Sequence, residues 1–292
     1  MTGNGSVEDG TGVERIEIAA RGMVFTARAT GPADGRLVLL LHGFPETSAE
    51  WLAQLGALGA AGYRAVAFDQ RGYSPGARPA EESAYDRDAL VGDVLAVAAA
   101  LGRGDTPFDL VGHDWGGGIA WQVAGLHPHR VRTLSVVSTP HPDAMWASTR
   151  DTASDQRERS SYMQLFRTRG KAEDVLLADG AARLRNLYHG LPDEAVAEYV
   201  ALFTDPATLT AALNWYRSIE PKSLHEAGPI DLPTLFVWGE DDWALGRNAA
   251  ERTAEFVRGP YRFVPLAGVG HWLPELAADE LTDALLAHLA AY

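Results

Sequence analysis

Three short stretches of this chain hold side chains suited to nucleophilic catalysis. The first is Phe108-Asp109-Leu110-Val111-Gly112-His113-Asp114-Trp115-Gly116-Gly117-Gly118. An apolar run ends at Gly112, and a helix-compatible run starts at about Trp115. Asp114 stands between them, with Gly112 and Gly116 two positions away on either side. That is a strand, a sharp turn and a helix with the reactive side chain at the apex. The apex backbone is strained and its neighbours pack close, which glycine permits. A carboxylate attacking an acyl carbon would give an anhydride, a poor intermediate. Attack on a saturated, electrophilic carbon gives an alkyl ester that water can later cleave. The pattern therefore points to epoxides or alkyl halides rather than esters or amides. Alone, Asp114 would also suit a helix N-cap. The glycine spacing does not match a dinucleotide-binding loop.

The second stretch, Val237-Trp238-Gly239-Glu240-Asp241-Asp242, is an acid cluster at a strand end. The third, Gly268-Val269-Gly270-His271-Trp272, puts a histidine on a turn after the last strand. With Asp114 they run in the order nucleophile, acid, histidine. His271 would activate water, and an acid at 242 or 241 would hold its tautomer and stabilise the imidazolium. Taken singly, Asp242 reads equally as a loop residue and His271 as a surface histidine. All three at strand ends in this order argue for a triad. A fourth stretch, His42-Gly43-Phe44-Pro45, follows an earlier strand. There the Phe44 N–H can join the Trp115 N–H as an oxyanion hole for attack of water on the ester. The Phe44-Pro45 bond is a candidate cis peptide.

Positioning these groups requires a particular scaffold. Residues 13–20 and 23–29 read as two strands joined near Arg21-Gly22. Residues 36–41 carry the continuous apolar run of a strand buried on both faces. A helix follows through Trp51 to about Ala60, capped from Ser48 or Glu50, then a strand at 63–68 and a helix at 86–101. Next come the strand at Phe108, its helix to about Leu126, and a strand at 131–137. This alternation predicts an α/β fold with a mostly parallel sheet covered on both faces. From about 143 to 228 only helical segments are read, at 157–166, 171–178, 193–203 and 206–219. Alternation resumes with a strand at 232–238, a helix at 248–257, a strand at 261–265 and a helix at 274–290. The domain reading is a core at 1–141 that opens with a short flexible tail (1–12), a helical cap at 142–228, and the rest of the core at 229–292.

The 292 residues, 46% of them hydrophobic, suffice for a full core. A formal net charge of −14 disfavours nucleic acid or anionic membranes as partners. With no cysteine, disulfides, thiolate chemistry and cysteine metal sites are excluded. The N-terminus lacks the basic and apolar regions of a signal peptide, and no apolar run approaches a membrane span. A cytoplasmic protein is expected, without cofactor or metal.

These residues carry a family resemblance. The chain resembles the epoxide hydrolases of the α/β-hydrolase superfamily in HGFPE at His42, DQRGYS at Asp69, GHDWGG at Gly112, STPHPD at Ser138, WGEDD at Trp238 and GVGHWLPE at Gly268. Two pieces of the inserted segment add to it: Tyr162-Met163-Gln164-Leu165-Phe166 resembles the family's YxxxF, and Asn214-Trp215-Tyr216-Arg217 its NWYR. The resemblance implies that Tyr162 and Tyr216 hydrogen-bond the epoxide oxygen, and its WGxxD spacing favours Asp242 over Asp241. It also implies a small-molecule epoxide and water as reactants. The tyrosines suit the task, because a phenol with a pKa of about 10 stays protonated at neutral pH and donates as alkoxide charge builds. Simple packing between cap and core is the other reading of both.

A haloalkane dehalogenase is the alternative with the same nucleophile. It needs N–H donors around a halide; Trp115 offers one, but Phe44 stands where a second is usual. A non-catalytic ligand-binding protein is the rival from another class. His127 and His129, with His141 later, could suggest a metal site, but the spacing of two around Pro128 fits a surface loop better. His113 is read as a packing residue, and Arg157, Arg159, Arg167 and Arg169 as a solvated face.

Overall fold

The computed structural model describes residues 12–292, so residues 1–11 of the expected tail lie outside the described residues. Eight strands form one sheet: β1 (Glu14–Ala20), β2 (Met23–Thr30), β3 (Leu37–Leu41), β4 (Arg64–Phe68), β5 (Phe108–His113), β6 (Val131–Val137), β7 (Thr234–Gly239) and β8 (Tyr261–Leu266). Their order is β1-β2-β4-β3-β5-β6-β7-β8. The β1–β2 and β2–β4 pairs are antiparallel and all others parallel. The β1–β2 hairpin turns at Arg21 and Gly22, both with positive φ, as a two-residue turn matching strand twist requires.

Alternate residues of each parallel strand serve opposite faces. Val38 and Leu40 of β3 join a core with Leu55 and Leu58 of α1 (Leu52–Ala60) and with Leu281, Leu285 and Leu289 near the C-terminus. Leu39 and Leu41 join the larger core on the other face. That core includes Val94 and Val97 of α2 (Arg87–Ala100) and Ile119 and Val123 of α3 (Asp114–Leu126). Buried charge is matched both in the sheet and on the helix beside it. Asp109 of β5 accepts from Arg36 and from Thr133 (2.7 Å), and Asp93 of α2 is bound bidentately by Arg71 at 2.6 and 2.7 Å. Removing one partner of such a pair typically costs about 3–5 kcal/mol.

Between β6 and β7 the described elements are helical. The longer ones are α4 (Pro142–Arg150), α5 (Lys171–Arg185), α6 (Asp193–Phe203) and α7 (Pro206–Ser218). Asp205 caps α7, accepting from the N–H groups of Ala207 and Thr208, and Pro206 fills the first helical position. The expected helix at 157–166 is instead three single turns, Gln156–Arg159, Ser160–Tyr162 and Met163–Phe166. The expected helix at 171–178 runs on as α5 to Arg185, interrupted at Ala178, Asp179, Gly180 and Ala181 by non-helical backbone. Thr47, not Ser48 or Glu50, caps the turn that leads into α1. The helix expected at 248–257 is α8 (Arg247–Arg252) followed by a tight turn, and α9 (Ala278–Ala291) closes the chain. No helix among the described residues is long and apolar enough to cross a membrane.

Candidate active site

Parallel strands deliver their C-terminal loops to one edge, where the order of strands reverses direction around β3 and β5. Leu41 pairs with Gly112, so the loop after β3 and the turn after β5 emerge side by side. Asp114 heads α3 with φ +47°, in the strained left-handed region. The closeness of the elbow is visible at its glycines. A Cβ on Gly112 would lie 2.4 Å from the Gly116 carbonyl oxygen, and one on Gly116 would lie 2.3 Å from that of Leu41. A Cβ on Gly43 would come within 2.6 Å of the Asp114 Cβ. Any side chain at these positions would push the nucleophile turn away from the sheet.

The Phe44 N–H donates to Asp114 Oδ1 at 2.8 Å, and the Phe44-Pro45 peptide is cis. Trp115 lies in the first turn of α3, so its N–H is one of the amides without an intrahelical carbonyl. His271, in the loop after β8, places Nε2 3.5 Å from Asp114 Oδ2. Its Nδ1 donates to Asp242 Oδ2 at 2.8 Å. The other oxygen of Asp242 accepts from the N–H groups of Ala244 (2.8 Å) and Leu245 (3.0 Å). Asp242 is buried and Asp241 exposed, so only the former meets the histidine. The His271 carbonyl is fixed by Ser138 Oγ and by the His113 ring, each at 3.0 Å.

The electrostatics follow from this alternation of charge. Burial would raise the Asp114 pKa, but hydrogen bonding to His271, the charge of that ring and the Phe44 N–H together hold it below the usual carboxylate value. The helix N-terminus favours the same ionised form. Burial would lower the His271 pKa, yet Asp242 and Asp114 on its two sides raise it well above that of a free imidazole. Both shifts favour the charged pair, carboxylate beside imidazolium.

Asp114 opens onto a largely apolar cavity of about 270 Å³ that Tyr162 and Tyr216 also line. Tyr216 comes from α7 and Tyr162 from the broken turns before α5. The Tyr216 ring packs edge-on against Trp115 (4.9 Å) and Phe44 (5.3 Å), and lies 6.5 Å from the Tyr162 ring. Burial raises both phenol pKa values, helped by Asp114 at Tyr162 and by Tyr162 and then Asp114 at Tyr216, so both hydroxyls keep their protons.

Residues 36–278 match the family model described as alpha/beta hydrolase fold. "Epoxide hydrolase A" of Mycobacterium tuberculosis is 32% identical, over 96% of this chain and 98% of that one. Mouse "Epoxide hydrolase 4" is 32% identical, over 94% of this chain and 78% of the relative. The crystal structure of Epoxide Hydrolase A from Mycobacterium thermoresistibile superposes with a TM-score of 0.82 at 28% identity, covering 95% of this chain and 98% of that one. The chain belongs to the epoxide hydrolase family of the α/β-hydrolase superfamily.

Within this epoxide hydrolase fold some groups escaped the sequence reading. Glu46, Glu50 and Glu275 gather beside His113, whose Nδ1 faces Glu50 Oε2 at 3.2 Å and Glu46 Oε2 at 3.4 Å. His113 is thus a hydrogen-bonding link to the His271 carbonyl as well as a packed ring. Burial, then mutual repulsion, pushes the Glu46 pKa up to about 8 and that of Glu275 up to about 10, while burial carries Glu50 well above a normal carboxyl. Glu50 lies just before the buried Trp51, the one local hint that it faces inward. Of the four arginines read as a solvated face, Arg157, Arg167 and Arg169 are exposed and Arg159 is half-buried, and two of them also bond carbonyls of site residues. Arg159 donates to the Asp242 carbonyl at 2.5 Å, and Arg167 to that of Tyr216 at 3.0 Å. Each backbone carbonyl needed a partner, which charge patterning alone does not reveal.

Proposed function

We propose that this chain opens an epoxide to a vicinal diol through a covalent ester on Asp114. In this reading residues 142–228 act as a cap that carries Tyr162 and Tyr216 over a core formed by residues 1–141 and 229–292. The observation that carries it is the single line Phe44 N–H, Asp114, His271, Asp242, with two protonated phenols on the same cavity. The names of the relatives agree with it.

In the first step an Asp114 oxygen attacks a ring carbon, that carbon–oxygen bond breaks, and the departing oxygen takes a proton from Tyr162 or Tyr216. Esterification removes the Asp114 charge, and with it part of the support for the His271 imidazolium. His271 can then give its proton back towards the tyrosinate and becomes the neutral base that the second step needs. It takes a proton from water, whose oxygen adds to the ester carbonyl while the N–H groups of Phe44 and Trp115 receive the developing oxyanion. The tetrahedral species collapses, the alkoxide leaves with the carboxyl proton, and the diol departs. Asp114 and His271 return to carboxylate and imidazolium, with one water consumed. Asp242 stabilises the imidazolium throughout.

The test is a trapped intermediate. His271→Gln should permit about one alkylation per enzyme, and intact-protein mass spectrometry should find the mass of one epoxide added on Asp114. The reading fails if wild-type enzyme turns over no epoxide, or if it releases halide from haloalkanes faster than it forms diol; the latter would make it a dehalogenase.

A further inference from the structure

The space on the two sides of Asp114 is unequal. Towards Trp115 lies the cavity of about 270 Å³, with Met145, Met163, Ile219, Leu224 and Leu245 in its wall. Towards His271 there is room for only about 10 Å³, lined by Phe44, Phe166, Leu187, Trp243 and Trp272. A space of about 10–15 Å³ holds one water molecule. The small side is also stiff. The Phe44 ring packs on Phe166 at 5.4 Å and on Phe203 at 6.1 Å. The Trp272 indole N–H donates to the Leu187 carbonyl at 3.0 Å, tying two of the walls together. The buried part of this wall, Phe44, Phe166 and Trp272, is close-packed and resists swelling to admit an alkyl group.

We propose that the enzyme is selective for terminal epoxides bearing one apolar substituent. This rests on the epoxide reading above. The substituent fills the large arm, and the unsubstituted ring carbon faces the small arm, where the hydrolytic water waits beside His271. A trans-1,2-disubstituted epoxide extends in both directions from the ring. With its oxygen at the tyrosines and a ring carbon at Asp114, its second substituent must enter the small arm and displace that water.

The test is a matched pair: styrene oxide and trans-β-methylstyrene oxide, which differ by one methyl on the far ring carbon. The wild type should favour styrene oxide in kcat/KM by roughly 10–200-fold, the range for one carbon in a fitted pocket. Trp243, 36% exposed and packed on Tyr162 and His271, is the wall residue most readily removed. Trp243→Ala should shrink the ratio at least tenfold. Leu187→Ala opens the same arm from the other side and should act in the same direction, so that misfolding of one variant leaves a second measurement. Comparing the ratio between proteins cancels the intrinsic reactivity of the two epoxides. A wild-type ratio near one, or a ratio unmoved in both folded variants, overturns the proposal. Diol from neither substrate in the wild type would overturn the epoxide reading itself, a result distinct from equal turnover.

Discussion

Two acid clusters are joined through the His113 ring, which bonds the His271 carbonyl, and they solve the same physical problem in opposite ways. In Asp114–His271–Asp242 two carboxylates flank one imidazole and each carboxylate oxygen has a donor nearby, so the Asp114 pKa is held down and that of His271 up. In Glu46–Glu50–Glu275 three like groups share a buried space with one imidazole, and burial drives them towards the neutral acid. Displaced pKa values occur in both, at Asp114 and His271 in one and at all three glutamates in the other. Only the first opens, at Asp114, onto the cavity of about 270 Å³. A displaced pKa thus marks burial, and chemistry needs in addition a supported charge and an open face.

That contrast can be broken at its strongest point. Asp114→Ala should lower diol formation by more than about 10⁴-fold while the fold survives, because the nucleophile is removed and nothing else can form the ester. Near wild-type turnover in a folded Asp114→Ala protein would end the covalent scheme. Next in size is Asp242→Ala. Losing the group that orients and stabilises the imidazolium should slow ester hydrolysis by about 10³–10⁴-fold, so single-turnover experiments should show the ester building up. The exposed neighbour provides the control: Asp241→Ala should change that step little, and the reverse ranking would move the role.

Smaller effects sharpen the comparison. Tyr216→Phe should depress alkylation by about 10²-fold, the usual cost of a positioned acid. Its partner on the same cavity, Tyr162, can cover in part, so the double change to Phe should cost more than either alone. Rapid-quench measurement of ester formation would separate this from hydrolysis. The smallest expected effect concerns the silent cluster. The Glu46 pKa is about 8 in the folded chain against a usual 4.5, so the folded state binds the extra proton between those values. Its contribution to stability is present at low pH and is lost as pH rises from about 4.5 through 8. Thermal melts of Glu46→Gln between pH 5 and pH 8 should therefore fall less steeply than those of the wild type. Parallel curves would mean that the cluster does not carry that proton.

Much of the scaffold was legible because it depends on short-range pattern. Continuous apolar runs at β3 and β5, the alternation of strand and helix, and the Gly112 and Gly116 spacing are written within a few residues of one another, and the eight-stranded, mostly parallel sheet follows from them. The inserted segment was harder to read. Its first helix proved to be three separate turns and another ran past an interruption, because short helices there are held by packing rather than by their own periodicity.

The sequence by itself determined the α/β class, the family, and a short list of candidate groups in the order Asp114, Asp242, His271. Only the tertiary structure decided which groups meet. Asp241 and Asp242 are chemically equal neighbours, and the loop after β7 alone decides that one points to His271 and the other to water. Glu50 and Glu275 lie far apart in the chain, so nothing local announces that they share a buried site. The unequal arms around Asp114 belong to no single element: their walls come from the loop after β3, the segment between β6 and β7, and the loops after β7 and β8. Distances between such loops are set by strand order and register across the whole sheet, which no local pattern encodes.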